Sequence, residues 1–293
     1  MKKHKGLIIG LISLLVIVIG VAIGAKRFID QKVANNERIV STTVAVTDIF
    51  AKLDVKLVGV PKTEETLPKQ YQNVTKVGGA MNPSVEKIAS LNPTRVYAVS
   101  TLRDQYDESF KAQSVPVTYL KLDSVAQLEQ TLTDLGNRYY RQKQAADEVN
   151  VIKNAVAKAK SRIHGRKPKV LILMGLPGAG YMILTNKSYL GDLVRLAGGD
   201  NLYQSSKQIY FTPSNESLAS KNPDIILRLA HAMPEVTVPQ FKHEFKTNPV
   251  WKKMKAVKNQ RVYDLQQPDF SASANLQVPT ALKKLSNWFY PNK

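Results

Sequence analysis

Met81 and His231 are the two side chains whose types and positions best suit metal chemistry, because they flank two copies of one short sequence pattern. Met81 comes directly before the first copy, after Gly78-Gly79-Ala80, and His231 comes just after the second, with only Ala230 between them. Alone, a Met is more often a core gap-filler and an apolar-flanked His more often a core residue. As a pair, a thioether and an imidazole suit the two axial positions of a haem iron, whereas a single Met and a single His make a poor copper site.

The repeated pattern covers residues 82–99 and 212–229, which align without a gap. Each copy predicts a short helix, an Asn-Pro stop and a buried strand. Such a unit is common in α/β proteins and can recur by chance, but the matches favour a duplication. A duplication predicts two similar lobes with a cleft between them, and clefts bind ligands. The identical pairs are Pro83/Pro213, Ser84/Ser214, Glu86/Glu216, Ala89/Ala219, Ser90/Ser220, Asn92/Asn222 and Pro93/Pro223.

The elements around the repeats alternate between strand and helix, which predicts parallel sheets covered on both faces. The predicted fold is therefore α/β, with one lobe at 38–123 and a second at 163–293. Between them, 124–162 has no proline and one glycine, and its apolar residues recur at helical spacing. We interpret this stretch as one helix of about 55 Å that joins the lobes. Heptad spacing is not sustained, which argues against a coiled coil.

The N-terminus has the pattern of a membrane anchor. Lys2, Lys3 and Lys5 precede Gly6–Ala25, an uncharged run that is long enough to span a bilayer as a helix, with its positive end in the cytoplasm. We predict an anchor over 1–29 and a tether over 30–37, which place the lobes outside the cytoplasm. Cleavage after Ile23-Gly24-Ala25 is the alternative.

The composition excludes several kinds of site and indicates a kind of partner. The 293 residues carry a formal net charge of +19 and no cysteine. Disulfides, thiolate metal sites and a lipidated cysteine anchor are therefore excluded. No nucleic-acid recognition motif accompanies the charge, so an anionic membrane or cell-wall surface is the favoured partner of its basic residues.

Other motifs predict structure rather than chemistry. The loop Gly175-Leu-Pro-Gly-Ala-Gly180 lacks the Lys-Ser/Thr of a P-loop, so we predict a tight turn between strands. His243 lacks the second His of a zinc protease motif. Glu86 and Glu216 occupy the same place in each repeat. They are either solvated helix carboxylates or a symmetric pair of docking charges for a two-fold, basic partner.

From Arg38 to the C-terminus, the chain resembles the haem-binding receptors of the Isd (iron-regulated surface determinant) uptake systems of Gram-positive bacteria. These are substrate-binding proteins of ABC importers, of the helical-backbone class. The most specific stretches are Arg38-Ile-Val-x-Thr-Thr-Val-Ala45, Lys169-Val-Leu-Ile-Leu-Met-Gly175, Lys187-Ser-Tyr-Leu-Gly-Asp-Leu193, Asn222-Pro-Asp-Ile-Ile-Leu-Arg228, His231-x-Met-Pro234 and Lys255-Ala-Val-Lys-Asn259.

The resemblance implies two α/β lobes joined by one long helix, and a haem iron held by Met81 and His231. It implies propionates near Val44 and Ala45, where backbone N–H groups at a helix start would attract carboxylates. Further implied contacts are Thr63 and Glu64, where Glu64 stands in place of an uncharged Tyr. Nearby substitutes for that Tyr are Tyr71 and Lys69. The chain also lacks the lipidated Cys typical of the family, so the N-terminal segment would have to serve as the anchor.

The resulting prediction is a monomeric receptor on the Gram-positive cell surface that takes haem b from surface donor proteins and passes it to an ABC permease. No bond in the haem is broken, so we predict no enzyme activity. Two alternatives stay open. One is a ferric-siderophore or corrinoid receptor of the same fold, and the other is a haem-modifying enzyme.

Overall fold

The structure is a computed structural model that describes residues 26, 31, 34, 36–178, 180–214, 217–218, 220–230 and 234–291. Nearly all of the predicted membrane anchor, together with His231 and Glu216, lies outside these residues. Within the described ranges, no helix is both long and apolar enough to cross a membrane.

The first lobe contains a five-stranded sheet in which all strand pairings are parallel. In spatial order the strands are β3 (Thr75–Lys76), β2 (Gly59–Val60), β1 (Ile39–Ser41), β4 (Arg95–Val99) and β5 (Val117–Leu120). β1 is buried along its whole length, as expected for a parallel strand covered on both faces. The helical segments of this lobe are α1 (Val44–Lys52), a 3₁₀ turn (Lys69–Tyr71), α2 (Val85–Ser90), a second 3₁₀ turn (Ser100–Leu102) and α3 (Arg103–Ala112).

The second lobe contains a mixed sheet with parallel strands at its centre. Its strands are β6 (Lys169–Leu176), β7 (Gly180–Leu184), β8 (Asp200–Asn201), β9 (Tyr210–Phe211), β10 (Ile225–Ala230) and β11 (Val262–Leu265). β6 and β7 form an antiparallel hairpin in which Leu176 lies opposite Gly180, so the predicted tight turn is confirmed. The helices are α6 (Tyr189–Leu196), α7 (Pro234–Thr247), α8 (Pro249–Lys253), α9 (Lys255–Lys258) and α10 (Val278–Phe289).

The prediction of one continuous helix over 124–162 is wrong, because the chain breaks into α4 (Val125–Arg138) and α5 (Gln142–Ser161). Tyr140 takes a left-handed conformation with φ of 56°, and the N–H of Arg141 donates to the carbonyl of Gly136 at 2.7 Å. This is the hydrogen bond of a Schellman stop, which ends a helix even without glycine at the left-handed position. The two helices then pack closely against each other.

α5 is the element that links the two lobes. Its 20 residues span about 30 Å. Near its start, the buried carboxylate of Glu148 pairs with Lys52 of α1 at 2.9 Å. Just beyond its end, Arg162 donates to the carbonyl of Tyr290 in the second lobe at 3.3 Å. A helical connection between the lobes is therefore present, but it is half as long as predicted.

The two sequence repeats share local hydrogen bonds as well as residue types. In the first copy, Ser84 caps the helix by accepting the N–H of Lys87 at 3.3 Å, and in the second copy Ser214 accepts the N–H of Ser217 at 3.1 Å. The hydroxyls of Ser90 and of its counterpart Ser220 donate back one turn in the same way, at 2.9 and 2.8 Å. The matching caps support the prediction of a duplicated unit.

One hydrophobic core runs through both lobes. Ile39 and Phe50 of the first lobe, Ile152 of α5, and Val170 and Leu285 of the second lobe belong to one continuous cluster of buried side chains. The lobes therefore do not fold around wholly separate cores.

Candidate functional site

The predicted contact residues of the first lobe lie at one edge of its sheet. Because β1, β2, β3 and β4 are parallel, their carboxyl ends meet at the same edge. Val44 and Ala45 follow β1, Thr63 and Glu64 follow β2, and Met81 follows β3. Ligands of open α/β sheets bind at such an edge. The fold thus brings together residues that are up to 37 positions apart in the sequence.

The start of α1 offers backbone N–H groups at this edge. Thr43 takes an extended conformation and its hydroxyl accepts the N–H of Val46 at 3.4 Å. The N–H groups of Val44 and Ala45, in the first turn, have no intrahelical acceptor. They therefore point out of the helix start, where the helix dipole favours an anion.

Met81 lies at the tip of a tight turn with its side chain exposed. Gly78 and Pro83 form an isolated antiparallel bridge, and the N–H of Asn82 donates to the carbonyl of Gly79 at 3.1 Å. The hydroxyl of the buried Tyr106 donates to the carbonyl of Ala80, and burial raises the pKa of this phenol to about 12. Met81 is 46% exposed, so its thioether is accessible to solvent at the tip of this turn.

The loop after β2 places some of the other predicted contacts at the surface. Thr63 is half-buried and its hydroxyl accepts the N–H of Glu65 at 3.1 Å, whereas Glu64 and Lys69 are exposed. Tyr71 does not fit its predicted role. Its side chain is only 2% exposed and its hydroxyl donates to the carbonyl of Val55, so the ring fills the core rather than facing a ligand.

Sequence reasoning missed a pair of carboxyl groups next to this loop. Burial, and to a lesser extent the nearby carboxylate of Glu65, raises the pKa of Asp48, on α1, to about 6. Burial also raises the pKa of Glu65. No local sequence signal marks the pair, because the two residues come together only when the loop folds over α1.

On the second lobe, the described part of the site stops one residue short of His231. β10 ends at Ala230, which pairs with Gly175 at the carboxyl end of β6. α7 begins at Pro234. His231 therefore lies in the sequence between two described elements at the carboxyl edge of the sheet, but its own placement is outside the described residues.

A cavity of about 270 Å³ lies between this edge and α7. Thr237, Gln240, Phe241 and Glu244, spaced to share one face of α7, form one wall, and Tyr181 lies opposite. Gly175 is required here, because a Cβ on it would lie 2.4 Å from the Thr237 methyl group. The wall is mainly apolar, and the buried Oε1 of Gln240 has no hydrogen-bond partner among the described residues.

Arg228 holds α7 against the sheet. Its guanidinium forms two hydrogen bonds to Asp264 on β11, at 2.7 and 2.9 Å. The same group lies 4.7 Å from the ring centre of Phe245 and 5.4 Å from that of Phe241, both on α7. Because Arg228 is buried, its bidentate ion pair with Asp264 and its contacts with the two aromatic rings fix the position of α7, the helix that follows His231 in the sequence.

Glu86 lies in the first turn of α2 with its side chain exposed. The helix dipole favours a carboxylate there, so the position and the exposure of Glu86 do not by themselves require a binding partner. Its counterpart Glu216 lies outside the described residues.

Comparisons with known proteins agree with this architecture. Residues 39–268 match the family model described as "Periplasmic binding protein". The chain is 42% identical over 261 residues to the high-affinity heme uptake system protein IsdE of Staphylococcus aureus, covering 87% of this chain and 88% of that protein.

Two solved structures resemble this chain at about the same level of sequence identity as that relative. The S. aureus IsdE structure complexed with heme matches with a TM-score of 0.82 and 41% identity, over 87% of this chain and 99% of that one. An ABC transporter substrate-binding protein from Listeria monocytogenes matches with a TM-score of 0.81, 41% identity and the same coverage. The chain belongs to the periplasmic binding protein family and, within it, to the group that contains IsdE.

Proposed function

We propose that this protein is an extracytoplasmic receptor that captures haem between its lobes and delivers it to an ABC permease for iron acquisition. The observation that carries the proposal is the 41% identity to a receptor structure that holds heme, combined with an exposed thioether at the carboxyl edge of the first lobe. Haem is cargo in this proposal and leaves the protein unchanged.

Met81 and His231 would supply the two axial ligands of the iron. The turn at 78–83 fixes the backbone that carries the thioether, because Tyr106 and the Gly78–Pro83 bridge brace it. With the backbone already ordered, only the Met81 side chain loses conformational entropy on binding. With both axial positions filled, oxygen would have no open coordination site, which argues for transport rather than haem chemistry.

The haem propionates would settle at the start of α1. Backbone N–H groups of Val44 and Ala45 can donate to carboxylates there, and the Thr63 hydroxyl and the ammonium group of Lys69 are further partners on the neighbouring loop. The carboxylate of Glu64 would repel a propionate, so we propose that it points away. The apolar cavity beside α7 would suit the vinyl edge of the porphyrin, which carries no charge.

A haem titration of the full chain in detergent tests the proposal. The visible spectrum should show a saturable Soret band at one haem per chain, with six-coordinate character. His231→Ala should weaken binding or change the spectrum, whereas His243→Ala, an exposed histidine on α7, should do neither.

Two results would count against the proposal. Absence of stoichiometric haem binding would refute it, and equal effects of the two substitutions would dismiss His231 as a ligand. Binding of a ferric siderophore or a corrinoid without haem would favour the alternative receptor. One structural relative, FeuA of Bacillus subtilis, was solved with ferri-bacillibactin, but at 19% identity it supports only the shared fold.

We propose that Glu86 and Glu216 dock against basic residues of the permease and that the N-terminal apolar run holds the receptor at the membrane. The shared position of the two residues in the repeats supports a two-fold arrangement. Reversing both charges should abolish haem transport and leave haem affinity unchanged. Normal transport by the double variant would refute the docking role.

A further inference from the structure

The positive charge of this protein is concentrated in the second lobe. Residues 163–293 carry 18 Lys and Arg against 8 Asp and Glu, whereas residues 38–123 carry 11 against 9. Haem binding does not require this asymmetry, because the proposed propionate contacts lie on the nearly neutral first lobe. The excess charge therefore calls for a separate physical explanation.

Part of the excess gathers at the amino end of the second sheet. Lys169 is the first residue of β6, and Asp224 directly precedes β10. The buried carboxylate of Asp224 binds Arg166 at 2.9 Å and Lys255 at 2.8 Å, which joins the α5–β6 connection to the start of α9. These contacts and the Lys169 N–H outweigh the effect of burial and lower the pKa of Asp224 to about 2.

The resulting basic patch consists of six exposed side chains, and Asp200 is the exposed acid beside them on β8. Arg166 and Lys255 share the one carboxylate of Asp224, so most of the patch charge faces solvent. The members of the basic patch are Arg166, Lys167, Lys169, Lys252, Lys255 and Lys258.

The basic patch lies at the opposite end of the sheet from the candidate site. β6 runs from Lys169 at the patch to Gly175 at the cavity, which is about 20 Å at 3.3 Å per residue. A partner on the basic patch would therefore leave the site beside Ala230 accessible. The two surfaces can act independently.

The basic patch and the chain's entry point lie at the two ends of α5. Near the start of α5, the carboxylate of Glu37 binds Arg138 at 2.5 Å and the Tyr139 hydroxyl at 2.8 Å. Glu37 is the last residue of the tether, whose eight residues, even if fully extended, span at most about 29 Å from the proposed anchor. The other end of α5 leads into Arg166. The exposed cations of α5 between these ends are Lys143, Lys153, Lys158 and Lys160.

We propose that the basic patch is a docking surface for the anionic lipid headgroups of the membrane that carries the anchor. With α5 lying along the bilayer, the tether and the basic patch would both reach the lipid, and the carboxyl edges of the sheets would remain free. Each Lys or Arg close to an anionic bilayer favours the docked state by roughly fivefold. The proposal rests on the proposed anchor for its geometry and not on haem binding.

Energy transfer in reconstituted full-length protein tests this docking. Because the chain has no cysteine, Asn259→Cys beside the basic patch can carry a single donor dye. Nanodiscs would contain headgroup-labelled acceptor lipid in either pure phosphatidylcholine or a mixture with phosphatidylglycerol. Transfer should be high only on the anionic discs and should fall to the phosphatidylcholine level at high salt.

A charge-matched pair of variants isolates the basic patch. Changing Lys167, Lys169, Lys252 and Lys258 to Gln should lower the ratio of docked to undocked protein at least tenfold, with haem affinity unchanged. The control removes four exposed lysines elsewhere and should keep the transfer high: Lys56, Lys121, Lys187 and Lys207 to Gln.

Three outcomes would overturn the proposal. Equal transfer on both lipid compositions would refute it, as would an equal loss in the control variant. If soluble poly(glycerol phosphate) binds to the basic patch and releases the second lobe from the disc surface, the basic patch would instead be a binding surface for a wall polymer. Co-elution with discs at high salt tests the anchor separately. If the N-terminal segment does not anchor the protein in the discs, co-elution of the protein still tests the basic patch. In that case the protein should co-elute with anionic discs only, and high salt should abolish the co-elution.

Discussion

At the scale of single residues, the raised pKa of Asp48 predicts how the stability of the protein depends on pH. Its pKa is raised from 3.8 to about 6 by burial and by Glu65. Between about pH 4 and pH 6 the unfolded chain has lost this proton while the folded chain still holds it. The free energy of unfolding therefore falls as the pH rises through this window.

Asp48→Asn removes the charge that burial opposes. The variant should be about 1–2 kcal/mol more stable than the wild type at pH 7, after discounting for partial exposure, and about equally stable at pH 4. Urea unfolding at the two pH values measures the difference. Asp54→Asn, at an exposed carboxylate just beyond α1, is the matched control. A constant difference between the two pH values would contradict the assigned ionisation.

The residues that the sequence could and could not predict differ in how local their signals are. Met81 stands out in the sequence because it flanks a repeat, and its role as a ligand stays a prediction, whereas Thr43 caps α1 as its residue type suggests. Tyr71 was misplaced, because sequence position alone cannot show that its hydroxyl reaches Val55 inside the core. The structural role of Arg228 has no local sequence signal, because its ion pair with Asp264 forms across neighbouring strands.

At the scale of elements, the break between α4 and α5 depends on one close contact. An added Cβ on Gly136 would lie 2.4 Å from the Cβ of Ala145 and 3.2 Å from the carbonyl oxygen of Arg141. The helical periodicity of 124–162 continues through this point, so the sequence pattern gave no sign of the turn. The hairpin is selected by the packing of Gly136 against Ala145 and by the buried ring of Tyr139.

Gly136→Ala should therefore destabilise the protein even though alanine favours a helix by about 1 kcal/mol. Overpacking of this kind costs about 1–3 kcal/mol, so after the gain in helix propensity a net loss of up to about 2 kcal/mol is expected in chemical denaturation. Asn137→Ala, at the adjacent exposed position, is the control for helix propensity. Adding Ala145→Gly to Gly136→Ala should restore part of the loss. A stabilised single variant would show that the helices do not pack as described.

At the scale of the whole molecule, the lobes share a core instead of meeting at a hinge. Ile152 of α5 lies in the same buried cluster as Phe50 of the first lobe and Leu285 of the second. The N–H of Val125, at the start of α4, also donates to the buried carboxylate of Asp192 in the second lobe at 2.9 Å. Rotating the lobes apart would expose this apolar surface and break buried polar contacts, which opposes a wide opening.

Ligand binding should therefore change the overall shape very little. Small-angle X-ray scattering of the full chain in nanodiscs, with and without haem, should give radii of gyration that agree within about 1 Å, because interdomain closure needs a hinge that can absorb large backbone changes. Here the connection between the lobes is a packed helical hairpin, and α5 is tied to the first lobe at Glu148 and Arg141. The His231→Ala variant with haem serves as the control for bound ligand. A contraction of more than about 2 Å in the wild type alone would indicate hinge closure and would require the shared core to open in the haem-free state.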